Sequence, residues 1–320
     1  MKAQPRKRKK QQSVPFLVWL KRLVVSAIAV VVCFIGLLFL YTYLYPSGEK
    51  KQEKQKGTSS RSVSPIVKPF EKKRTDKLQS AEQSKPAITT VKNIEIPRLL
   101  VKQKEQVIRH EGYTVSYNSD YRIANWVAYE LTAQEAKSKK SERTNKFVPD
   151  PEVKGASAIN EDYTRTGYDR GHLAPAGDMK WSAKAMRESF YLSNICPQKP
   201  GLNRGIWKEL EEQSRLWAKE NGSLWIVTGP VLTDSMKRLG KNRVAVPKTF
   251  YKVICTIINN EYKGIAFLFD NRDYGKEKLQ LMAIPIDSVE KVTGIDFFPS
   301  LPDEVEKKME MSVDRASWSF

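Results

Sequence analysis

Apolar positions fall into three regimes along the chain. Residues 23–45 form a continuous uncharged run of mostly Leu, Val, Ile and Phe, with Tyr41, Tyr43 and Tyr45 at its far edge. A helix of about 20 mostly apolar residues crosses a bilayer, so this run predicts a membrane span with aromatic residues at one interface. Residues 46–96 turn to Lys, Gln, Ser, Glu and Pro, too polar to bury enough surface to offset conformational entropy, and predict a flexible linker. From residue 97 onwards short apolar segments recur between turn signals, the mark of a folded domain.

Within that domain, residues 107–117 and 124–131 carry the β-branched and aromatic content of strands, with Asn118 to Asp120 as a turn. Residues 133–166 are polar and contain Pro, a long excursion of the kind that serves function more often than connection. A short helix is expected over 182–188 and a longer one over 202–219, closed by Asn221-Gly222. Strand signals follow at 223–231, 250–258 and 264–270, and helical signals at 286–292 and 302–309. The expected architecture is one mixed α/β domain of the α+β class over 97–320.

The long helix carries two stripes. Leu202, Ile206 and Leu210 recur every four residues as an apolar row, and Asn203, Trp207, Glu211 and Arg215 form a second row beside it. A mixed-charge face on a surface helix is usually solvated, so Glu211 and Arg215 alone say little.

Charge changes the picture less than its total suggests. Residues 1–96 hold 20 Lys+Arg against 6 Asp+Glu, leaving 35 against 30 for residues 97–320. Most of the net +19 therefore belongs to the tail and linker, where it reads as a topology signal and places the N-terminus on the inside. The expected organisation is a basic cytoplasmic tail (1–22), a transmembrane anchor (23–45), a linker (46–96) and a catalytic domain (97–320). An uncleaved anchor is preferred to a signal peptide, because the apolar run exceeds a usual signal core and no Ala-x-Ala-like site follows. Cys33, Cys196 and Cys255 lack the spacing of a zinc site, and the last two sit in apolar surroundings as buried small residues.

Only two histidines occur, His110 and His172. His110 lies in a predicted strand beside charged neighbours and reads as structural. His172 closes Asp169-Arg170-Gly171-His172 and is the better placed base for chemistry near neutral pH. Phosphodiester hydrolysis needs such a base, positive charge on the phosphoryl oxygens and stabilisation of the leaving oxygen. No run of Asp, His or Cys has multi-ligand spacing, which fits a hard ion such as Mg²⁺ held by one side-chain oxygen, for which Asn203 is the candidate. Arg143, Arg170 and Arg215 supply guanidiniums shaped to grip phosphate.

The segments Asp169-Arg-Gly-His-Leu-Ala-Pro175, Tyr191-Leu-Ser-Asn-Ile-Cys-Pro-Gln198, Leu202-Asn-Arg-Gly-Ile-Trp207 and Leu210-Glu211 resemble the DNA/RNA non-specific endonucleases. The likeness continues through Asn125-Trp-Val-Ala-Tyr129, Val227-Thr-Gly-Pro230 and Ala266-Phe-Leu-Phe-Asp270, and so covers nearly all of residues 105–310. It implies a ββα-metal finger, with the His172 motif on a strand and Asn203 at the start of the long helix. It implies His172 as general base, Asn203 as metal ligand and Glu211 as the holder of a water in the metal's shell. Asn194 matches an active-site polar residue, and Arg143, Arg170 and Arg215 match phosphate-handling arginines. It also implies DNA and RNA as substrates, 5′-phosphate products, Mg²⁺ with Mn²⁺ or another divalent ion as substitutes, and room for a homodimer.

The anchor and tether set the chain apart from many such relatives. They predict a single-pass protein with its nuclease domain on the periplasmic side of a bacterial inner membrane, or else at the mitochondrial inner membrane. Two rivals keep parts of the reading: a non-catalytic nucleic-acid receptor at the membrane, and a phosphodiesterase acting on another substrate.

Overall fold

The computed structural model describes residues 91–320. The basic tail, the expected span at 23–45 and the linker up to residue 90 lie outside the described residues, among which no helix is long and apolar enough to cross a membrane.

The strands, in chain order, are β1 (Arg98–Leu99), β2 (Gln106–Arg109), β3 (Thr114–Asn118), β4 (Ile123–Thr132), β5 (Asp169–His172), β6 (Ile195–Gln198), β7 (Ser223–Pro230), β8 (Lys237–Leu239), β9 (Val244–Val246), β10 (Thr249–Ile258), β11 (Glu261–Asp270), β12 (Ala283–Ile284) and β13 (Ile295–Asp296). The helices are α1 (Ala133–Lys137), α2 (Ala183–Glu188), α3 (Trp207–Asn221), α4 (Ile286–Thr293) and α5 (Asp303–Glu310). Seven strands make an antiparallel sheet in the order β12-β11-β10-β7-β4-β3-β2.

Side chains alternate across a strand, and here each face feeds a different core. On β4, Val127, Tyr129 and Leu131 enter one core while Trp126 and Ala128 enter the other; on β10, Phe250 and Ile254 oppose Tyr251, Val253 and Cys255. The first core is closed by α3 and the β5–β6 pair, through Trp207, Leu210, Trp217, Leu173 and Ile195. The second is closed by α4 and α5 through Ile286, Val289 and Met309. Ile94 also packs into it, 1% exposed, so the packed chain includes residues before Pro97. Two packed faces explain why the central strands read as nearly continuous apolar runs.

Two expected elements divide. Residues 107–117 are β2 and β3 joined by a turn in which His110 N–H donates to the Tyr113 carbonyl at 2.8 Å. Residues 202–219 are a widened turn over Leu202–Ile206 followed by α3, with Gly205 at φ −100°, ψ −119° between them. The helix ends where expected, at Gly222, whose φ of 94° suits a residue without Cβ. The excursion at 133–166 begins with α1, started by a capping box between Thr132 and Glu135. Cys196 and Cys255 are both buried free thiols.

Candidate active site

β5 and β6 pair antiparallel, with Asp169 opposite Gln198 and His172 opposite Ile195. Together with the widened turn and α3 they form the two strands and helix of the expected finger. Gly171 is required by this pairing, because a Cβ there would collide with the buried Gln198 amide. The finger opens on a cavity of about 430 Å³ lined by Arg143, Arg170, His172, Asn203, Glu211 and Arg215, with Arg204 and Lys208 at the same wall. Six residues from three separate stretches of sequence thus converge.

His172 is 7% exposed, and its Nε2 is buried without a hydrogen-bond partner. Phe190 meets its ring edge-on, with centroids 4.9 Å apart, and Phe147 lies 5.4 Å away. Burial, with help from the Arg143 charge, pushes the imidazole down to about 3, so it is neutral at pH 7.

The backbone just after it is pinned from three directions. Trp207 Nε1 donates to the His172 carbonyl at 3.2 Å, and Lys252 Nζ donates to the Leu173 carbonyl at 3.4 Å. Asn194 accepts from Ala174 N–H at 2.9 Å and donates to the Ala174 carbonyl at 2.8 Å. The Asn194 amide also donates to the Ser189 carbonyl. Asn194, expected among the active-site polar residues, is fully buried and absent from the cavity wall. Its amide is consumed by backbone, and it acts as a clamp on the loop behind His172.

Asn203 is oriented by Asp169. Its Nδ2 donates to Asp169 Oδ2 at 3.0 Å, which fixes the amide and leaves the oxygen Oδ1 as its free face. Arg204 holds the same carboxylate at both oxygens, at 2.7 and 2.6 Å. Burial alone would raise Asp169, but these hydrogen bonds from Arg204 and Asn203 outweigh it and hold the carboxyl below its ordinary range.

Each arginine is braced by a group that leaves part of its fork unused. Arg215 Nη1 donates to Asp178 Oδ1 at 2.7 Å, and Tyr129 OH donates to Asp178 Oδ2 at 2.9 Å. Arg170 Nη2 donates to the Asn160 carbonyl while its buried Nε has no partner, and its guanidinium lies over the Phe147 and Tyr163 rings. Arg143 Nε donates to Asn145, and the group stacks 5.0 Å from the Phe190 ring.

Glu211 stands at the cavity wall above Lys252, a lysine only 1% exposed on the face of β10 that looks toward α3. Lys252 Nζ sits 4.8 Å from the Trp207 ring. Burial raises the Glu211 carboxyl, and the Lys252 charge opposes that rise. Trp207, predicted on the same helical row as Asn203 and Glu211, is fully buried instead. The Gly205 kink breaks the period, so Asn203 reaches the cavity from the widened turn and Glu211 from the helix proper.

Sequence reasoning passed over Asp169, Asp178 and Lys252. Asp169 begins the motif already singled out, and Lys252 is a charge inside an otherwise apolar strand, so both carried a signal. Asp178 is recognisable only once Tyr129 and Arg215 are brought to it.

The residues fit a hard divalent ion. The donors are an amide oxygen whose orientation is fixed and a carboxylate, with no thiolate, and the unpartnered His172 Nε2 opens on the same space. His110 is far from being a second such site: its Nε2 meets Asp150 Oδ2 at 2.9 Å, Ser193 Oγ donates to the same oxygen, and Tyr113 and Tyr191 flank the ring.

Residues 90–304 match the sequence profile of the DNA/RNA non-specific endonucleases. The chain is 36% identical over 207 residues to the mitochondrial nuclease EXOG of Danio rerio, covering 60% of each chain. It is 32% identical to human mitochondrial endonuclease G, covering 61% of this chain and 70% of that one. To nuclease C1 of Cunninghamella echinulata it is 35% identical, over 61% and 83%. The first of these likenesses, and those to mouse and human EXOG, span 60% of the relatives' own length. A solved structure of the EndoG/EndoGI complex superposes with a TM-score of 0.59 at 32% identity, covering 63% of this chain and 89% of the other. With the finger, the cavity and these likenesses in agreement, the chain belongs to the DNA/RNA non-specific endonuclease family.

Proposed function

We propose that the chain is a membrane-tethered, divalent-metal-dependent endonuclease that hydrolyses DNA and RNA to 5′-phosphate products. The observation that carries this reading is a buried, neutral histidine with an unpartnered Nε2, facing one cavity with an oriented Asn203 and three braced arginines.

In this reading His172 Nε2 takes the proton of the attacking water, and its neutral state leaves it ready to do so. The pinned carbonyls at residues 172 to 174 hold the ring in place, so that little reorganisation precedes proton transfer. The free guanidinium donors of Arg143, Arg170 and Arg215 gather the phosphoryl oxygens and neutralise charge as the transition state forms. Asn203 Oδ1 and Glu211 would hold Mg²⁺ or Mn²⁺, the glutamate through water. When bound, that ion stabilises the departing oxygen as a Lewis acid.

Nothing in the cavity selects one sugar. The lining is made of groups that read phosphate, and phosphate contacts position a nucleic acid without specifying its sequence. The loop that brings Arg143 also carries Lys137, Lys139 and Lys140 along a neighbouring depression with Trp181, a basic and aromatic approach suited to the flanking strand.

A basic tail followed by an apolar run and a polar linker supports a domain outside the compartment of the N-terminus. We place it on the periplasmic side of a bacterial inner membrane, with the mitochondrial inner membrane, the organelle named for several relatives, as the second option. Protease protection after fractionation separates the two, and carbonate extraction tests the anchor. A homodimer belongs to the same reading, and light scattering of the solubilised chain tests it.

The decisive assay incubates the detergent-solubilised full chain with supercoiled plasmid and with ribosomal RNA in Mg²⁺. Loss of both substrates, abolished by EDTA and leaving 5′-phosphate ends, is expected. Salt-dependent binding without cleavage in any divalent ion would replace the enzyme with a receptor.

A further inference from the structure

Behind the sheet, on the face away from the cavity, α4 and α5 pack against β11 and each other. Asp287 and Glu290 from α4 and Glu310 from α5 each bring a carboxylate oxygen within 4.8 Å of the others. Glu310 is 5% exposed, and its Oε1 is buried with no hydrogen-bond partner. One turn earlier, Glu306 Oε1 is in the same condition. Glu290 is fixed in position by accepting from the Phe297 N–H at 2.9 Å.

Two cations of this region are already paired. Arg98 pairs with Asp296, and Lys308 pairs with Glu261. Among the described residues, the ion pairs include none to Asp287, Glu290, Glu306 or Glu310. A carboxylate buried beside two others without a counter-charge, as Glu310 is, is strongly unfavourable. A proton or a metal ion has to relieve it. Burial first, then the charges of Glu290, Glu306 and Asp287, push the Glu310 carboxyl up to about 9.

We propose that Asp287, Glu290 and Glu310 bind a second divalent cation, structural in role, that staples α4 to α5. The donors are all carboxyl oxygens, which selects the hard cations over zinc or copper. They come from two helices. Ca²⁺ fits better than Mg²⁺, since it accepts irregular arrangements of six to eight oxygens and both oxygens of one carboxylate. The site differs in kind from the one at Asn203, which offers a neutral amide oxygen and faces the substrate cavity.

The test uses the full chain in detergent, stripped with EDTA, in an Asn203→Ala background that disables the cavity's ligand. Calorimetric titration with Ca²⁺ is expected to show one bound ion, and a saturating concentration to raise Tm by about 5 °C. Adding Glu310→Gln should remove both the binding and the rise. Asp287→Asn, at the more exposed edge, should weaken binding at least tenfold and serves if Glu310→Gln fails to fold. In the otherwise native chain, Glu310→Gln should leave plasmid cleavage in Mg²⁺ unchanged. A Tm that rises on acidification but ignores Ca²⁺ would show that protons alone hold the cluster and overturn the proposal. A Ca²⁺ increment that survives both substitutions would overturn it equally.

Discussion

The regions around the two histidines use similar materials to opposite ends. His110 is held by Asp150 and flanked by two tyrosines, and Ser193 and the Glu152 N–H complete the bonding of the Asp150 carboxylate. The Asp150 carboxylate there is partnered at both oxygens. His172 is more deeply buried, but its Nε2 has no hydrogen-bond partner, and the charge that acts on it is a cation, Arg143, rather than a carboxylate. A histidine whose Nε2 is bonded to a buried carboxylate stabilises a fold. One whose bonds are incomplete, beside positive charge and an open cavity, is prepared to receive something.

The sharpest way to break this comparison is to remove each ring in turn. His172→Ala should lower kcat/KM on plasmid, per folded molecule, by about 10²- to 10⁴-fold, the usual contribution of a positioned general base. His110→Ala should leave the rate per folded molecule close to native. It should lower stability by about 1.5–3 kcal/mol, because the buried Asp150 carboxylate loses one of its hydrogen bonds, which thermal melting would register.

Asn194→Ala tests the clamp between these extremes. It removes hydrogen bonds to Ala174 N–H and to two carbonyls in a dry interior, and is expected to cost about 1–3 kcal/mol of stability. Because the loop behind His172 loosens, kcat should fall while KM stays near native. A loss of stability with kcat intact would restrict Asn194 to folding alone.

A smaller effect concerns acid. Burial works to raise the Asp150 carboxyl, but hydrogen bonds from His110, Ser193 and the Glu152 N–H prevail and hold it below the ordinary carboxylate range. Its folded value lies below its unfolded one, so the stability it contributes is present above the unfolded value and is lost as pH falls through the folded value. Asp150→Asn should therefore flatten the decline of Tm below about pH 4, as a pH series of melting curves would show.

The sequence made the finger legible because its signals are local. Asp169 to His172, the row of Asn203 and Glu211, and the Gly222 cap are each readable within a few residues. The strands were legible through β-branched content, although the turn at His110 to Tyr113 was hidden inside one apolar run. What escaped was long-range. Lys252 meets Leu173 across 79 positions and Asn194 meets Ala174 across 20, and no periodicity reports such pairings. The single helix expected over 202–219 failed for a backbone reason, since Gly205 leaves the helical region and rotates Trp207 into the core while Asn203 stays at the cavity.

The claim that an unpartnered His172 Nε2 is the working base is met most directly by chemical rescue. Plasmid cleavage by the full-length His172→Ala chain in Mg²⁺ is measured with and without added imidazole. The expected result is a rate depressed by about two orders of magnitude or more, partly restored by imidazole in His172→Ala but not in Asn203→Ala. Cleavage by His172→Ala at the native rate without imidazole would contradict it.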